Sequence, residues 1–222
     1  METILNEAEV RVLGALVEKQ VTTPEYYPLT LNALVQACNQ KNNRYPVVAF
    51  DEPLVSHTIE TLRGKNLVYV FYGSTSRVPK YKHMMMEVFG LDSKELALVC
   101  VLMLRGPQTP GELRGRAERL YDFTGLEEVE QTLDSLIEKE PQALVVKLPR
   151  QPGQKEIRYA HLLSGEVSAD YQSPDVETEQ RPAHKTEAVP GRLQALAQEV
   201  ETLRAELTGL RQEFEEFKKQ FD

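Results

Sequence analysis

Val55-Ser56-His57-Thr58-Ile59-Glu60-Thr61-Leu62 recurs in outline as Val129-Glu130-Gln131-Thr132-Leu133-Asp134-Ser135-Leu136. Val, Thr, Ile or Leu and Leu stand at i, i+3, i+4 and i+7 in both, which places them on one helical face. Upstream, Thr30-Leu31-Asn32-Ala33-Leu34 parallels Thr109-Pro110-Gly111-Glu112-Leu113, and Asn6-Glu7-Ala8-Glu9-Val10 parallels Asp92-Ser93-Lys94-Glu95-Leu96. Each stretch opens a helical run, so each copy holds three helices. Downstream, both copies continue into two β-rich segments, at 67–72 with 77–83 and at 144–148 with 156–161. Three helices followed by a hairpin is the winged-helix order. The predicted class is mainly α with small β-hairpins (α+β), as two tandem winged-helix domains at 1–88 and 89–163.

The helix starts are specified locally. Asn6 with Glu9, Asp92 with Glu95 and Thr109 with Glu112 have capping-box spacing, and Pro110 takes the first helical position. Thr30 and Asp51 are expected caps for two further helices. Val10, Leu13, Leu16 and Val17 supply the buried stripe of the first helix, and Leu31, Leu34, Val35 and Cys38 that of the second. The third helix is expected over 52–63, ending at Gly64 in the left-handed conformation that glycine tolerates. A polar loop, 39–46, separates the second and third helices. Residues 149–153 are too rich in turn formers for strand.

From 164 to 190 the composition turns to Pro, Ser, Glu and Thr, which predicts a flexible acidic linker. Beyond it, over 191–222, Leu193, Leu196, Val200, Leu203, Leu207, Leu210, Phe214, Phe217 and Phe221 alternate three and four apart, the a/d seam of a coiled coil. With Leu193 at a, Glu199, Glu206 and Glu213 fall at g, and Arg204, Arg211 and Lys218 at the following e positions. Parallel pairing makes every such g–e′ contact attractive, so a parallel homo-oligomer is expected, with a dimer favoured and the strand number left open by the bulky phenylalanines. The other reading folds this helix back on its own head domains.

Composition narrows the function classes. The chain has 222 residues, 41% of them apolar and 27% charged, enough for two compact domains. Its longest apolar run, 96–104, is far short of the roughly 20 residues that span a bilayer. An acidic amino terminus without signal-peptide layout adds to an expected cytoplasmic location. Formal charge is −8 in all, yet residues 1–90 have no net charge and the excess acid lies behind them. Cys38 and Cys100 sit on apolar helix sides and read as core residues. His57, His83, His161 and His184 are scattered, no nucleophile sits beside a base, and neither a Gly-rich phosphate loop nor metal-ligand spacing is present. No catalytic residue, cofactor or metal is therefore expected.

Within this pattern, Arg11-Val12-Leu13-Gly14-Ala15-Leu16-Val17-Glu18-Lys19, the segment from Thr22 through Tyr26-Tyr27-Pro28 to Leu34, Ala37-Cys38-Asn39-Gln40-Lys41-Asn42-Asn43-Arg44 and Gln108-Thr109-Pro110-Gly111-Glu112-Leu113-Arg114 resemble the YceH-like family of bacterial proteins. The resemblance covers residues 5 to about 163. It implies tandem winged helices and carries no activity with it.

A DNA-reading winged helix needs polar and basic groups on its third helix and a basic wing. Ser56, His57 and Arg63 lie off the apolar face of that helix. Arg77, Lys80 and Lys82, with His83, crowd one wing strand, and Lys41, Asn42, Asn43 and Arg44 occupy the preceding loop. Asp51, Glu52 and Glu60 oppose phosphate there. Glu127, Glu128, Glu130, Asp134 and Glu138 make the second copy's third helix acidic, which suits a solvated face or a docking surface, while Lys147, Arg150, Lys155 and Arg158 could touch phosphate from its wing. The expectation is a non-enzymatic, DNA-associated regulatory protein acting in transcription regulation, which binds duplex DNA through the first domain as a coiled-coil homodimer. The alternative is a protein–protein adaptor that does not bind DNA and takes a partner through domain 2, an arrangement that looks like the condensin-associated tandem winged-helix proteins.

Overall fold

The computed structural model describes residues 4–72, 78–150 and 156–165. The acidic linker beyond Gly165 and the heptad seam at Leu193, Leu196, Val200, Leu203, Leu207, Leu210, Phe214, Phe217 and Phe221 lie outside them. In chain order the elements are α1 (Glu7–Thr22), a 3-10 turn (Pro24–Tyr26), β1 (Leu29–Thr30), α2 (Leu31–Cys38), α3 (Glu52–Gly64), β2 (Val68–Phe71) and β3 (Lys80–His83). After α4 (Met85–Phe89) follow α5 (Ser93–Arg105), α6 (Pro110–Ala117), α7 (Leu126–Ile137), β4 (Val145–Lys147) and β5 (Tyr159–His161). The protein is α+β, and both of its sheets are antiparallel.

All three expected capping boxes form, at Asn6/Glu9, Asp92/Glu95 and Thr109/Glu112. Thr30 and Asp51 cap α2 and α3 as their spacing requires. One helix end differs: Gly64 is still helical, Lys65 is the C-cap, and Asn66 takes the left-handed backbone at φ 59°. Asparagine's short polar side chain tolerates that region. Besides the 3-10 turn, a strand and a helix are absent from the sequence reading. Two-residue β1 is too short to show alternation, and five-residue α4 too short to show helical period.

The repeat is deeper than its helices. β1 pairs with β3 through Leu29 opposite Tyr81, and in the second copy Gln108 bridges Tyr159 at the matching place. Glu9 of the first capping box is ion-paired with Lys65 at 2.7 Å, and Glu95 of the second with Lys139 at 2.6 Å. In each copy a glutamate at the start of the first helix thus holds a lysine just past the third. Buried Thr58 and Thr132 donate their hydroxyls to the carbonyls of Leu54 and Glu128, four residues back. That bond lets a polar residue sit on an apolar face.

A continuous apolar core runs through both copies. α1 is buried around its whole girth from Glu9 to Glu18, and α5 from Glu95 to Leu104. A single stripe on α1 therefore understates its burial: α2 and α3 cover one side and α5 another. Gly14 sets the closeness of α1 to α5, since a β-carbon there would lie 2.9 Å from Leu104 Cδ2. Further ties are the Leu5 amide on the Leu163 carbonyl (2.7 Å) and the Tyr45 amide on that of Leu104 (2.8 Å).

His83 and His161 occupy matching strand positions, opposite Val68 and Val145. Burial pulls both imidazoles down to about 4. Unfolded histidines titrate near 6.5, so between about pH 6.5 and 4 the unfolded chain binds more protons and stability falls as the pH falls. The slope reaches about 1.4 kcal/mol per pH unit for each histidine. Denaturation midpoints should drop from pH 7 to pH 5, and His83→Gln should remove about half of the drop. A flat profile over that range would contradict the burial of both rings.

Candidate nucleic-acid interface

Alternation along β2 and β3 sorts their side chains onto two faces. Val68, Tyr81 and His83 turn inward, while Tyr69 and Phe71 stand 56% and 45% exposed on the outer face. Register places Lys82 directly across from Tyr69 and Lys80 across from Phe71, with Thr30 of β1 on the other flank of Lys80. Lys82 Nζ lies 6.0 Å from the Tyr69 ring centroid. Such a cation over an aromatic face keeps its charge at the surface. Tyr72, just after β2, and Val78, just before β3, also carry exposed apolar surface. The result is a sheet face of two lysines between aromatic rings, chemically able to meet phosphate with the ammonium groups and sugar or base edges with the rings.

The outer side of α3 carries Ser56, His57, Glu60 and Arg63. Asp51 is occupied in capping the Leu54 amide (2.9 Å). Arg63 Nη1 donates to both carboxylate oxygens of Glu60, at 2.9 and 2.7 Å, with both side chains exposed. Exposed pairs of this kind are weak and can exchange for another anion. The end of α3 leads into β2 and packs against it, so this helix end adjoins the sheet.

Several expected contacts fall elsewhere. Arg44 is corrected from a surface contact to an internal one: its side chain is 0% exposed and grips Glu18 at 2.6 Å. It also donates to the Ala37 carbonyl and to Gln40 Oε1. Asn43, at φ 61°, accepts on its side-chain oxygen from the Arg105 guanidinium. The polar loop is a clip against α1 and α5, completed by Arg11 donating to the Pro46 carbonyl (2.6 Å) and by paired bonds between Asn39 and the Phe50 backbone. Lys41 and Asn42 remain exposed on it. His83 is buried under the sheet, where its Nδ1 accepts from the Met85 amide at 3.2 Å. Arg77 lies outside the described residues.

In the second copy Glu127, Glu130, Asp134 and Glu138 are exposed along α7. Glu128 is held by Lys94 at 2.5 Å and by Thr124, which bring its carboxyl down to about 2. Arg158 is not a free cation on the second hairpin: it pairs with Glu112 at 2.9 Å and donates to the Pro107 carbonyl. Lys147 and Arg150 are exposed, and Lys155 lies outside the described residues.

Both cysteines are buried. Burial outweighs the nearby Arg44 and Arg11 and pushes the Cys38 thiol up to about 12, and the Cys100 thiol is raised for the same cause. Among the described residues no three His, Cys, Asp or Glu side chains are grouped to hold a metal ion, and no helix is long and apolar enough to cross a membrane.

Sequence reading found the lysines of the sheet face and missed Tyr69 and Phe71. The strict alternation of Val68-Tyr69-Val70-Phe71 was the available signal, because on a half-buried sheet it sends every second residue outward.

Residues 5–154 match a family model described as "Protein of unknown function, DUF480". The chain belongs to the DUF480 family. The DUF480 match takes in the first copy and the second as far as its hairpin tip. Similar proteins named UPF0502 protein include one of Pelobacter propionicus, 49% identical over 223 residues and covering both chains in full. One of Geobacter sulfurreducens is 50% identical over 228 residues, again covering both in full. A relative from Opitutus terrae is 56% identical over 174 residues, 78% of this chain and 76% of its own. The sheet face, the polar clip and Gly14 all lie within the DUF480 region.

Proposed function

We propose that this DUF480 chain is a non-enzymatic, DNA-associated regulatory protein built from two winged-helix repeats of the YceH-like kind. In this reading the first repeat binds duplex DNA, residues 191–222 form a parallel homodimeric coiled coil, and the protein works in the cytoplasm. Supporting the winged-helix assignment is the order α1-β1-α2-α3-β2-β3, with β1 paired to β3, matched in the second copy by the Gln108–Tyr159 bridge. The observation that carries the DNA reading is the lysine–aromatic face of β2 and β3 beside the end of α3. Joining two weak heads through one coiled coil makes the second contact intramolecular and raises avidity.

Each phosphate contact contributes about 0.9 to the slope of log affinity on log salt. The intact protein should therefore bind mixed-sequence duplex DNA at low salt in an anisotropy titration. Lys80→Ala with Lys82→Ala should flatten that slope by up to about 1.8 and weaken binding across sequences. Unchanged affinity and slope would remove the sheet face from the interface.

The acidic outer face of α7 favours a second reading, an adaptor that docks a basic protein segment there. Under it, no duplex binding occurs even at about 50 mM salt. A nuclease-treated lysate instead yields a stoichiometric partner that is lost when Glu127 and Glu130 are replaced by lysine.

A further inference from the structure

The seam between the two repeats contains a cavity of about 390 Å³ that the sheet-face reading leaves unused. Small-molecule sites occupy about 300–1,000 Å³. Val10 of α1, Val48 and Phe50 of the polar clip, Leu102 and Met103 of α5 and Ala160 of β5 make its walls apolar. Polar side chains interrupt that lining, Arg11 and His161 among them. Arg11 is only 4% exposed and donates to the main-chain carbonyls of Cys38 (3.3 Å) and Pro46 (2.6 Å). It has no carboxylate within ion-pair distance among the described residues. Glu7, one turn earlier on the same helix, stays exposed at the rim and makes no ion pair with it. His161 also lines the cavity, and its buried Nδ1 has no hydrogen-bond partner among the described residues.

Charge balance makes Arg11 the telling residue. Arg44 lies near enough to act electrostatically on Arg11, and its own charge is met by Glu18. Glu18 thus answers Arg44 and leaves Arg11 with no carboxylate partner among the described residues. A buried charge without a counter-charge is unfavourable, and two carbonyl acceptors meet its hydrogen bonds without meeting its charge. Guanidinium groups suit carboxylates because their donors match the two oxygens side by side.

We propose that this cavity is a binding site for a small carboxylic acid with an apolar body, its carboxylate seated on Arg11 and its body against Phe50, Leu102 and Met103. The site is independent of the DNA reading: it lies at the seam, away from the lysines of β3, and its occupancy is measured without nucleic acid.

The test is isothermal titration of the intact chain with 4-phenylbutanoate and with its uncharged amide. Saturable binding of the acid is expected, at least tenfold tighter than the amide. Arg11→Gln should abolish that preference. Arg11 also fastens the clip, so a second variant, Val48→Trp, leaves the guanidinium in place and fills the cavity from its wall. It should weaken the acid at least tenfold while the circular dichroism spectrum stays that of the parent. Equal binding of acid and amide, binding untouched by Val48→Trp, or no saturable binding to the intact chain would each overturn the proposal.

Discussion

Replacing Arg44 by alanine is expected to destabilise the protein by about 3–5 kcal/mol, the range for removing one member of a buried ion pair. Its side chain is 0% exposed and that of Glu18 is 7% exposed, so the carboxylate left behind has little water to turn to. Its remaining cation among the described residues is Lys19 at 3.8 Å, beyond hydrogen-bonding distance. Loss of the guanidinium also strands the Ala37 carbonyl, which accepts from both Nε and Nη2 of Arg44. Lysine should not rescue, because one ammonium cannot reproduce the planar fork that meets Glu18 with two nitrogens. Urea denaturation of the full chain measures the effect, with exposed Lys41→Ala as the comparison, expected within about 0.5 kcal/mol of the parent. Replacing both partners, Arg44→Met with Glu18→Met, should recover most of the loss, since an apolar pair carries no uncompensated charge. An Arg44→Ala loss below about 1 kcal/mol would return this residue to the surface role that its sequence context suggested.

Gly14→Leu is expected to cost about 3 kcal/mol, at the upper end of overpacking effects. A β-carbon at this position stands 2.9 Å from Leu104 Cδ2, 3.1 Å from Leu104 Cγ and 3.3 Å from Met103 Cβ. Behind those atoms is α5, whose Cys100 thiol donates to the Gly14 carbonyl at 3.5 Å. Leucine would force α1 and α5 apart and open the seam that Arg11 and Arg44 close. Gly14→Ala is the milder probe: alanine gains up to about 1 kcal/mol of helix propensity, which offsets a contact that the Leu104 tip can relieve by moving. Gly64 is the internal control, because no atom of the described residues lies within 4 Å of its would-be β-carbon and its backbone is helical. Gly64→Ala should therefore be stabilising by about 0.5–1 kcal/mol. Equal effects of leucine at Gly14 and alanine at Gly64 on the denaturation midpoint would show that α1 and α5 are not held at glycine distance.

Much of the fold was legible because it is written in short-range terms. Capping boxes need only residues three apart, and the core faces of α3 and α7 need only the 3.6-residue period. The site was harder to read. Lys80 and Lys82 could be found as charges on a β-hairpin, yet what surrounds them depends on strand register, which sets Tyr69 against Lys82 and Phe71 against Lys80. Arg44 shows the opposite failure. In sequence it closes a polar run, Asn39-Gln40-Lys41-Asn42-Asn43-Arg44, and reads as surface charge. In the fold the run curls back and inserts that one residue against Glu18, its partner 26 positions away.

By itself the sequence determined the repeat, the helix starts, the apolar faces of α3 and α7, and the presence of cations on the first hairpin. Each of these follows from neighbours within about two helical turns, where backbone geometry fixes which side chains meet. Only the tertiary structure decided that α1 and α5 are buried on all sides, that Gly14 brings them together, that Arg44 belongs to the interior, and that Arg11 lines a cavity with no carboxylate in ion-pair reach among the described residues. Those facts depend on pairs of residues separated by tens of positions, and burial changes what a charged side chain must do: exposed, it needs only water, while enclosed, it needs a partner.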